Sequence, residues 1–305
     1  MNRFHLPESP ETKQTFPADL LTGKVAFVTG EISLRGSSGI CMNQTLSLMQ
    51  HGANAFIIGR NLDKAQRAAG ELSNQTGKKC IGHSCDVRNP HSVQEAVNAA
   101  INHFGRIDIV ICGAAGNFLA PISAMSSNAF KAVIDIDLFG TYNTIKATID
   151  HLRKSRGAYI HITATLHEKG TPLQVHVSAA KAGIEALSNV LAVEEGINGI
   201  RSNCIAPGPV RGTEGMQKLS FKGTTTEDSS PLGRWCTFSD INNLTLFLVS
   251  DAANILNGQV FRVDGGERHV QPTNDYPNNI INFQKMIDDG LIENRDASKQ
   301  RQAKL

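Results

Sequence analysis

The sequence predicts a doubly wound α/β fold, in which a parallel seven-stranded sheet carries helices on both faces. Apolar runs rich in β-branched residues alternate with longer amphipathic stretches, as a parallel sheet with crossover helices requires. Of the 305 residues, 40% are hydrophobic and 19% are charged, which is ordinary for a globular protein. A chain of this length can form one large α/β domain with additional segments at its ends.

The strands are predicted, in order, at 24–29, 53–58, 79–85, 107–112, 158–163, 200–205 and 259–263. Helices are predicted between them near 38–50, 61–75, 90–104, 125–152, 174–197 and 238–250. The polar, proline-containing stretch from Asp86 to Pro90 is typical of a helix start. Ligands of such a sheet bind beyond the carboxyl ends of its strands.

Three units are predicted along the chain: an N-terminal arm (1–20), the α/β domain (21–267) and a C-terminal extension (268–305) with a short helix near 280–291. Residues 209–231 show no clear periodicity, and we expect them to cover the substrate. The arm has no apolar core of the kind that a signal peptide needs.

Charge and cysteine usage exclude several classes of protein. The net charge of +2 is too balanced for a protein that coats nucleic acid. The six cysteines form no CxxC pair, and three histidines (His161, His167 and His176) do not follow zinc spacing, so we predict no metal. No apolar run reaches the ~18 residues of a membrane span.

A glycine-containing loop follows the first strand and precedes a helix, where dinucleotides place their pyrophosphate. The expected spacing is Thr-Gly, three residues, Gly, one residue, Gly. Here Thr29-Gly30 is followed by an extra stretch, Glu31–Arg35, and cysteine stands in place of the last glycine. The insertion either bulges outward or impairs binding, and an ordinary strand–turn–helix is the alternative. The candidate cofactor contacts in this loop are Gly30, Gly36, Ser38, Gly39 and Ile40.

The ends of the second and third strands favour NADPH over NADH. A site selective for NADH would carry an acidic residue after the second strand, whereas Arg60 suits the extra phosphate of NADPH. A surface arginine at a strand end is the alternative interpretation. Asp86, after the third strand, is placed to accept a hydrogen bond from the adenine amine.

Several further motifs resemble the short-chain dehydrogenase/reductase family in order and spacing over residues 21–267. They are Gly105–Asp108, Ile111–Gly116, Arg201–Gly208, Pro231–Arg234 and Val263–Gly266. The resemblance implies a Rossmann sheet and cofactor contacts at Pro207, Gly208 and Thr213. The family's catalytic tyrosine, four residues before Lys181, is replaced by Val177. A mechanism that needs a phenol to protonate a carbonyl is therefore not expected.

The loss of this tyrosine beside a retained lysine resembles the 2,4-dienoyl-CoA reductases. Ala114–Phe118 is similar to a segment of these reductases, and Ile134–Asp137 and Gln174–His176 are similar to their peroxisomal branch. Cys112–Gly116 resembles the fungal members of that branch. The resemblance implies NADPH, a 2,4-dienoyl-CoA substrate, and acid–base work by Asp137 and Lys181 through a bound water. It also implies substrate contacts at Arg60, Arg88, Phe118, Ser126 and Asn128. Asp135 competes with Asp137, because helical spacing lets only one of the two point into the cleft.

Two hydroxyls and the chain terminus complete the predicted features. Thr163 or Thr165 could hold the thioester oxygen, or could simply end a strand. The final Ala303-Lys304-Leu305 resembles a peroxisomal targeting tripeptide, which an import receptor reads. We therefore expect a protein of the peroxisomal matrix. The family resemblance also implies a homo-oligomer built on the two long helices near 125–152 and 174–197. The alternatives are another NADP-dependent enoyl- or acyl-CoA reductase, or a catalytically impaired relative that acts as a scaffold.

Overall fold

The computed structural model describes residues 6–30, 39–213 and 230–270, with single positions at 215 and 285. Seven strands form one parallel sheet in the order β3-β2-β1-β4-β5-β6-β7. Their bounds are β1 Val25–Thr29, β2 Asn54–Gly59, β3 Cys80–Ser84, β4 Ile109–Cys112, β5 Ala158–Ile162, β6 Arg201–Pro207 and β7 Val260–Val263. The predicted doubly wound sheet is confirmed, and its order reverses between β1 and β4.

The described helices cover both faces of the sheet. They are α1 Thr12–Thr15, α2 Ile40–Gln50, α3 Leu62–Thr76, α4 Pro90–Phe104, α5 Ser127–Ile134, α6 Gly140–Ser155, α7 Val175–Gly196, α8 Phe238–Val249 and α9 Glu267–Val270. The predicted helix near 280–291 and most of segment 209–231 lie outside the described residues.

Alternate side chains of β1 enter two separate hydrophobic layers. Ala26 and Val28 lie in a cluster with Leu48 of α2 and Ile241 of α8. Phe27 points to the opposite face, into a cluster that α4, α6 and α7 cover. Because successive strand residues point to opposite faces, a strand buried on both sides must be apolar throughout, as β1 is.

The helix predicted at 125–152 is wrong as one continuous element. The structure divides it into α5, a π-helical turn at Asp135–Phe139, and α6. A π turn widens the backbone by one residue and changes the direction in which the following side chains point. The hydroxyl of Thr141 donates a hydrogen bond to the carbonyl oxygen of Asp137 at 2.7 Å, inside this turn. The interruption sets the orientation of the two aspartates considered above.

The described part of the N-terminal arm packs against the main domain at α8. Ser9 donates a hydrogen bond to the carboxylate of Asp240 at 2.6 Å, and Asn243 donates to the carbonyl oxygen of Pro10 at 2.9 Å. Thr12 is 3% exposed. Within the described residues, no helix combines the length and apolar character that crossing a membrane would require.

Candidate active site

The carboxyl end of β1 and the start of α2 form the predicted pyrophosphate site. Gly30 ends the strand with φ +144°, a backbone conformation that favours glycine. Gly39 is the N-cap of α2 and contributes no side chain, so an anion can approach the backbone at the start of this helix closely. These features fit a dinucleotide. The predicted contacts Gly36 and Ser38, and the insertion at 31–35, lie outside the described residues.

Cys41, which replaces the last glycine of the motif, packs against two other glycines. Its Sγ lies where a methyl group built on Gly113 would be, and a methyl group on Gly30 would lie 2.9 Å from the same atom. The thiol is 5% exposed and belongs to the layer between α2 and the sheet. The side chain therefore occupies space that Gly113, at the end of β4, leaves empty.

The polar residues after β2 and β3 come together at the adjacent strand ends. Arg88 binds Asp86 through its guanidinium, with Nε 2.9 Å from Oδ1. The Arg88 hydrogen bond lowers the pKa of Asp86, and the nearby positive charge of Arg60 adds to the effect. Arg60 itself is exposed. These two arginines form an anion-attracting edge beside the dinucleotide site, and Arg88 also lines an open groove against α5.

Asp137 and Lys181 form a buried ion pair. Lys181 Nζ lies 3.2 Å from Asp137 Oδ2, and the two side chains are 7% and 0% exposed. The N–H of Gly116 donates to Asp137 Oδ1 at 2.7 Å, and Lys181 Nζ also donates to the carbonyl oxygen of Ile162 at 2.9 Å. Residues from the π turn, from α7 and from the ends of β4 and β5 thus converge on one carboxyl group.

The environment of Asp137 raises its pKa above the ordinary value of a carboxyl group. Burial raises the pKa of this carboxyl group, and the Lys181 charge and the Gly116 hydrogen bond oppose that rise without cancelling it. Asp135 lies two residues away and pairs with Lys131 at the surface. The structure thus places Asp137, and not Asp135, against Lys181.

Three side chains near the end of β5 and on α7 form a hydrogen-bonded group that the sequence did not predict. Thr163 donates to Glu185 Oε1 at 3.0 Å, and His167 Nε2 lies 3.1 Å from Glu185 Oε2. The Thr163 hydroxyl is therefore occupied by Glu185, while Thr165 is 2% exposed. The side chains of His167, Glu168 and Glu185 come within 4.8 Å of one another, but Glu168 is paired with Arg262.

The predicted substrate contacts lie at two places. Ser126 is the N-cap of α5, where its hydroxyl accepts from the N–H of Ala129, and Asn128 is exposed on the same helix. Phe118 lies on the loop after β4, and its ring centroid is 4.2 Å from that of His176. The structure therefore exposes Ser126 and Asn128 at the start of α5, whereas Phe118 packs against His176.

The remaining predicted cofactor contacts follow β6. The N–H of Gly208 donates to the carbonyl oxygen of Val263 at 2.8 Å, and the Thr213 hydroxyl donates to that of Val210 at 2.9 Å. A methyl group on Gly208 would meet Asp264 Cβ at 2.9 Å, so close packing requires glycine here. Pro207, at the end of β6, is buried.

Sequence reasoning missed the π turn, the Glu185 group and the packing of His176 against Phe118. Each of these features depends on contacts between segments that are distant in the chain, and no local sequence pattern predicts such contacts. The asparagine–glutamine contact at the loop after β4 was also missed: Asn117 Nδ2 donates to Gln174 Oε1 at 2.8 Å.

Comparisons with known proteins identify the family of this chain. A family profile described as enoyl-(acyl carrier protein) reductase matches residues 35–267. The peroxisomal 2,4-dienoyl-CoA reductase SPS19 of Saccharomyces cerevisiae is 44% identical over 85% of this chain and 89% of that protein. The peroxisomal 2,4-dienoyl-CoA reductase of Mus musculus is 43% identical over 84% and 88%. Carveol dehydrogenase from Mycobacterium avium, solved in complex with NAD, superimposes with a TM-score of 0.73 at 26% identity, covering 82% of this chain and 99% of that one. The chain belongs to the short-chain dehydrogenase/reductase family.

Proposed function

We propose that this protein is a peroxisomal 2,4-dienoyl-CoA reductase that uses NADPH and yields 3-enoyl-CoA. The observation that carries the proposal is the buried pair of Asp137 and Lys181 in a site where Val177 replaces the tyrosine. A phenol-dependent carbonyl reduction has no donor there, whereas a carboxyl group beside a lysine can serve the reduction of a conjugated carbon–carbon bond. The peroxisomal reductases to which the chain is similar are named for this activity.

The residues suit the charge changes of the reaction. When bound, NADPH would supply a hydride to the far end of the dienoyl group, and the resulting negative charge would spread to the thioester oxygen. A proton must reach the carbon next to the thioester carbonyl to give the 3-enoyl product. Asp137, whose pKa is raised by burial, holds that proton or passes it through a water molecule. Lys181 lies beside this carboxyl group and can bind the nicotinamide ribose.

The nucleotide end supports a phosphorylated dinucleotide. Gly30 and the start of α2 suit the pyrophosphate, and Arg60 suits the 2′-phosphate that distinguishes NADPH from NADH. Arg88 beside it suits a phosphate of coenzyme A. The proposed assignment of Arg60 is tested separately from that of Asp137.

The deciding experiment measures the loss of NADPH absorbance with 2,4-hexadienoyl-CoA. We expect turnover by the unmodified chain and a loss of at least about 100-fold in kcat for Asp137→Ala, because the proton donor is removed. NADPH affinity, measured by fluorescence titration, should stay nearly unchanged. Asp135→Ala is the matched control, since Asp135 lies on the same turn but pairs with Lys131, and its activity should be near that of the unmodified protein.

Two results would contradict the proposal. An unmodified protein that binds no NADPH would favour a scaffold with an impaired loop. One that binds NADPH but does not oxidise it with hexadienoyl-CoA would favour a different acyl-CoA reductase. Full activity of Asp137→Ala would overturn only the role assigned to Asp137, and not the proposed reaction.

Localisation and assembly complete the proposal. We place the protein in the peroxisomal matrix, with Ala303-Lys304-Leu305, outside the described residues, as the segment that an import receptor binds. We also propose a homo-oligomer. Its support is the apolar outer surface of α7, where Val190, Val193 and Ile197 are 55%, 78% and 89% exposed.

A further inference from the structure

Glu267, at the start of α9, has a buried carboxyl group with a single ionic partner. The residue is 4% exposed. Lys169 Nζ donates a hydrogen bond to Glu267 Oε1 at 3.2 Å, and the Lys169 side chain is itself largely buried. Glu267 Oε2 is buried and has no hydrogen-bond partner among the residues that the structure describes. Because a buried charge is costly without its counter-ion, the position of this carboxyl group depends on Lys169.

The same carboxyl group packs against the turn that follows β6. A methyl group built on Gly208 would lie 3.2 Å from Glu267 Oε2. The N–H of Gly208 binds the carbonyl oxygen of Val263, and the N–H of Glu267 binds that of Asp264 at 3.1 Å. The turn at Gly208 and the residues that follow β7 therefore form one packed unit, in which Glu267 supports the backbone of Gly208.

Lys169 belongs to a segment after β5 in which three consecutive side chains each bind a different element. The pairs are His167 with Glu185 of α7 at 3.1 Å, Glu168 with Arg262 of β7 at 2.7 Å, and Lys169 with Glu267 of α9 at 3.2 Å. The segment thereby connects the helix that carries Lys181 to the residues that follow β7.

The order of the strands relates the Lys169–Glu267 pair to one half of the cofactor. The predicted pyrophosphate site lies at the end of β1, and Arg60 and Asp86 follow β2 and β3. Strands β4, β5 and β6 lie on the other side of β1, so a bound dinucleotide would extend its nicotinamide half across their carboxyl ends. Lys169 follows β5 and Gly208 follows β6. The pair thus joins two loops on the nicotinamide side of the site.

We propose that Lys169 and Glu267 are positioning residues, which hold the turn at Gly208 in place for the nicotinamide half of NADPH. This inference rests on the cofactor of the proposed function, and neither side chain needs to touch that cofactor. Lys169 keeps the carboxyl group of Glu267 in its buried place, and Glu267 supports Gly208. Without Lys169, an unpaired carboxylate would have to turn towards water, and the backbone at Gly208 would lose its support.

The test compares two ligands that share one end. Adenosine 2′,5′-bisphosphate keeps the adenosine and the 2′-phosphate of NADPH but lacks the nicotinamide half. In calorimetric titration, Lys169→Met should raise the Kd for NADPH by roughly tenfold and leave that for the bisphosphate within about twofold of its value in the unmodified protein. Lys169→Arg, which retains the charge, should bind both ligands as the unmodified protein does. The double variant Lys169→Met/Glu267→Gln should bind NADPH more tightly than Lys169→Met, because no unpaired carboxylate remains.

The matched control is Glu168→Gln, which breaks the neighbouring ion pair with Arg262. That pair is more exposed, with side chains 22% and 34% accessible. Because exposed ion pairs contribute little, Glu168→Gln should change neither Kd by more than about twofold. A tenfold selective rise for this control would overturn the role assigned to the buried pair.

The outcomes separate positioning from general support of the fold. Equal rises in Kd for both ligands in Lys169→Met would show a general loss of structure and would overturn the proposal, as would an unchanged Kd for NADPH. If Lys169→Met does not fold, Glu267→Ala, which empties the space beside Gly208, should give the same selective rise, and its absence would overturn the proposal. Titration needs no turnover. A protein that binds NADPH but does not oxidise it with hexadienoyl-CoA would therefore contradict the proposed reaction, while the two Kd values still decide the role of the pair.

Discussion

Replacement of Gly113 by alanine tests whether the cysteine in the dinucleotide motif is matched to the glycine opposite. A methyl group at position 113 would overlap Cys41 Sγ, and the thiol has little room to turn away because Gly30 packs on it from a second side. Overpacking of a filled core costs about 1–3 kcal/mol, and we expect Gly113→Ala to lower the free energy of unfolding by about 2 kcal/mol. Displacement of α2 should also weaken the binding of NADPH. If about 1.4 kcal/mol of the overpacking cost is lost from the binding free energy, the Kd rises roughly tenfold.

The interaction is isolated by a double-mutant cycle with Cys41→Gly. That variant alone should lose about 1 kcal/mol, since glycine is unfavourable in a helix and the thiol leaves a small void. In the double variant the new methyl group occupies the vacated space. The combined loss should therefore be smaller than the sum of the single losses by about 1–2 kcal/mol.

Urea unfolding of the four proteins gives the stabilities, and fluorescence titration gives the NADPH affinities. Gly116→Ala is the control, because its methyl group would meet Ile136 and not Cys41. Strictly additive losses for Cys41→Gly and Gly113→Ala would refute the complementarity of the pair.

Three further predictions concern the cofactor, the arm and the terminus. Arg60→Asp should reduce kcat/KM for NADPH by about 10- to 100-fold and favour NADH, whereas the control Arg67→Asp on α3 should change neither. If steady-state kinetics show an unchanged cofactor preference for Arg60→Asp, Arg60 does not bind the 2′-phosphate. Burial opposes ionisation of Asp240, but hydrogen bonds from Arg234, Ser9 and Thr237 outweigh it and lower its pKa to about 2. A carboxyl group whose pKa is lower in the folded protein stabilises the fold at pH values above its unfolded pKa, and this stabilisation is lost as the pH falls from about 4 to 2. Asp240→Asn should therefore reduce the fall in the free energy of unfolding over this pH range by about 2 kcal/mol. A pH dependence parallel to that of the unmodified protein would contradict this. Deletion of Ala303-Lys304-Leu305 should leave an N-terminally fluorescent fusion in the cytosol, and continued peroxisomal fluorescence would dismiss the tripeptide as the address.

The elements of the fold were largely readable from the sequence, since strand and helix periodicity is a property of neighbouring residues. All seven predicted strands are present, and each has observed bounds within two residues of those predicted. The long helix near residue 135 is the exception. A π turn differs from an α-helix by one backbone hydrogen-bond step, and the side-chain pattern over 125–152 carries no mark of it.

The sequence by itself determined the parallel sheet, the family motifs, the replacement of tyrosine by Val177 and the two candidate aspartates. Tertiary structure alone decided that Asp137 is the one buried against Lys181, that Gly113 makes room for Cys41, and that His176 packs against Phe118. These facts depend on side chains that are far apart in the chain and meet only when β4, α7 and the π turn pack together. Packing distances and the loss of solvent around a charged group are set by the whole fold, and they decide the chemistry of the site.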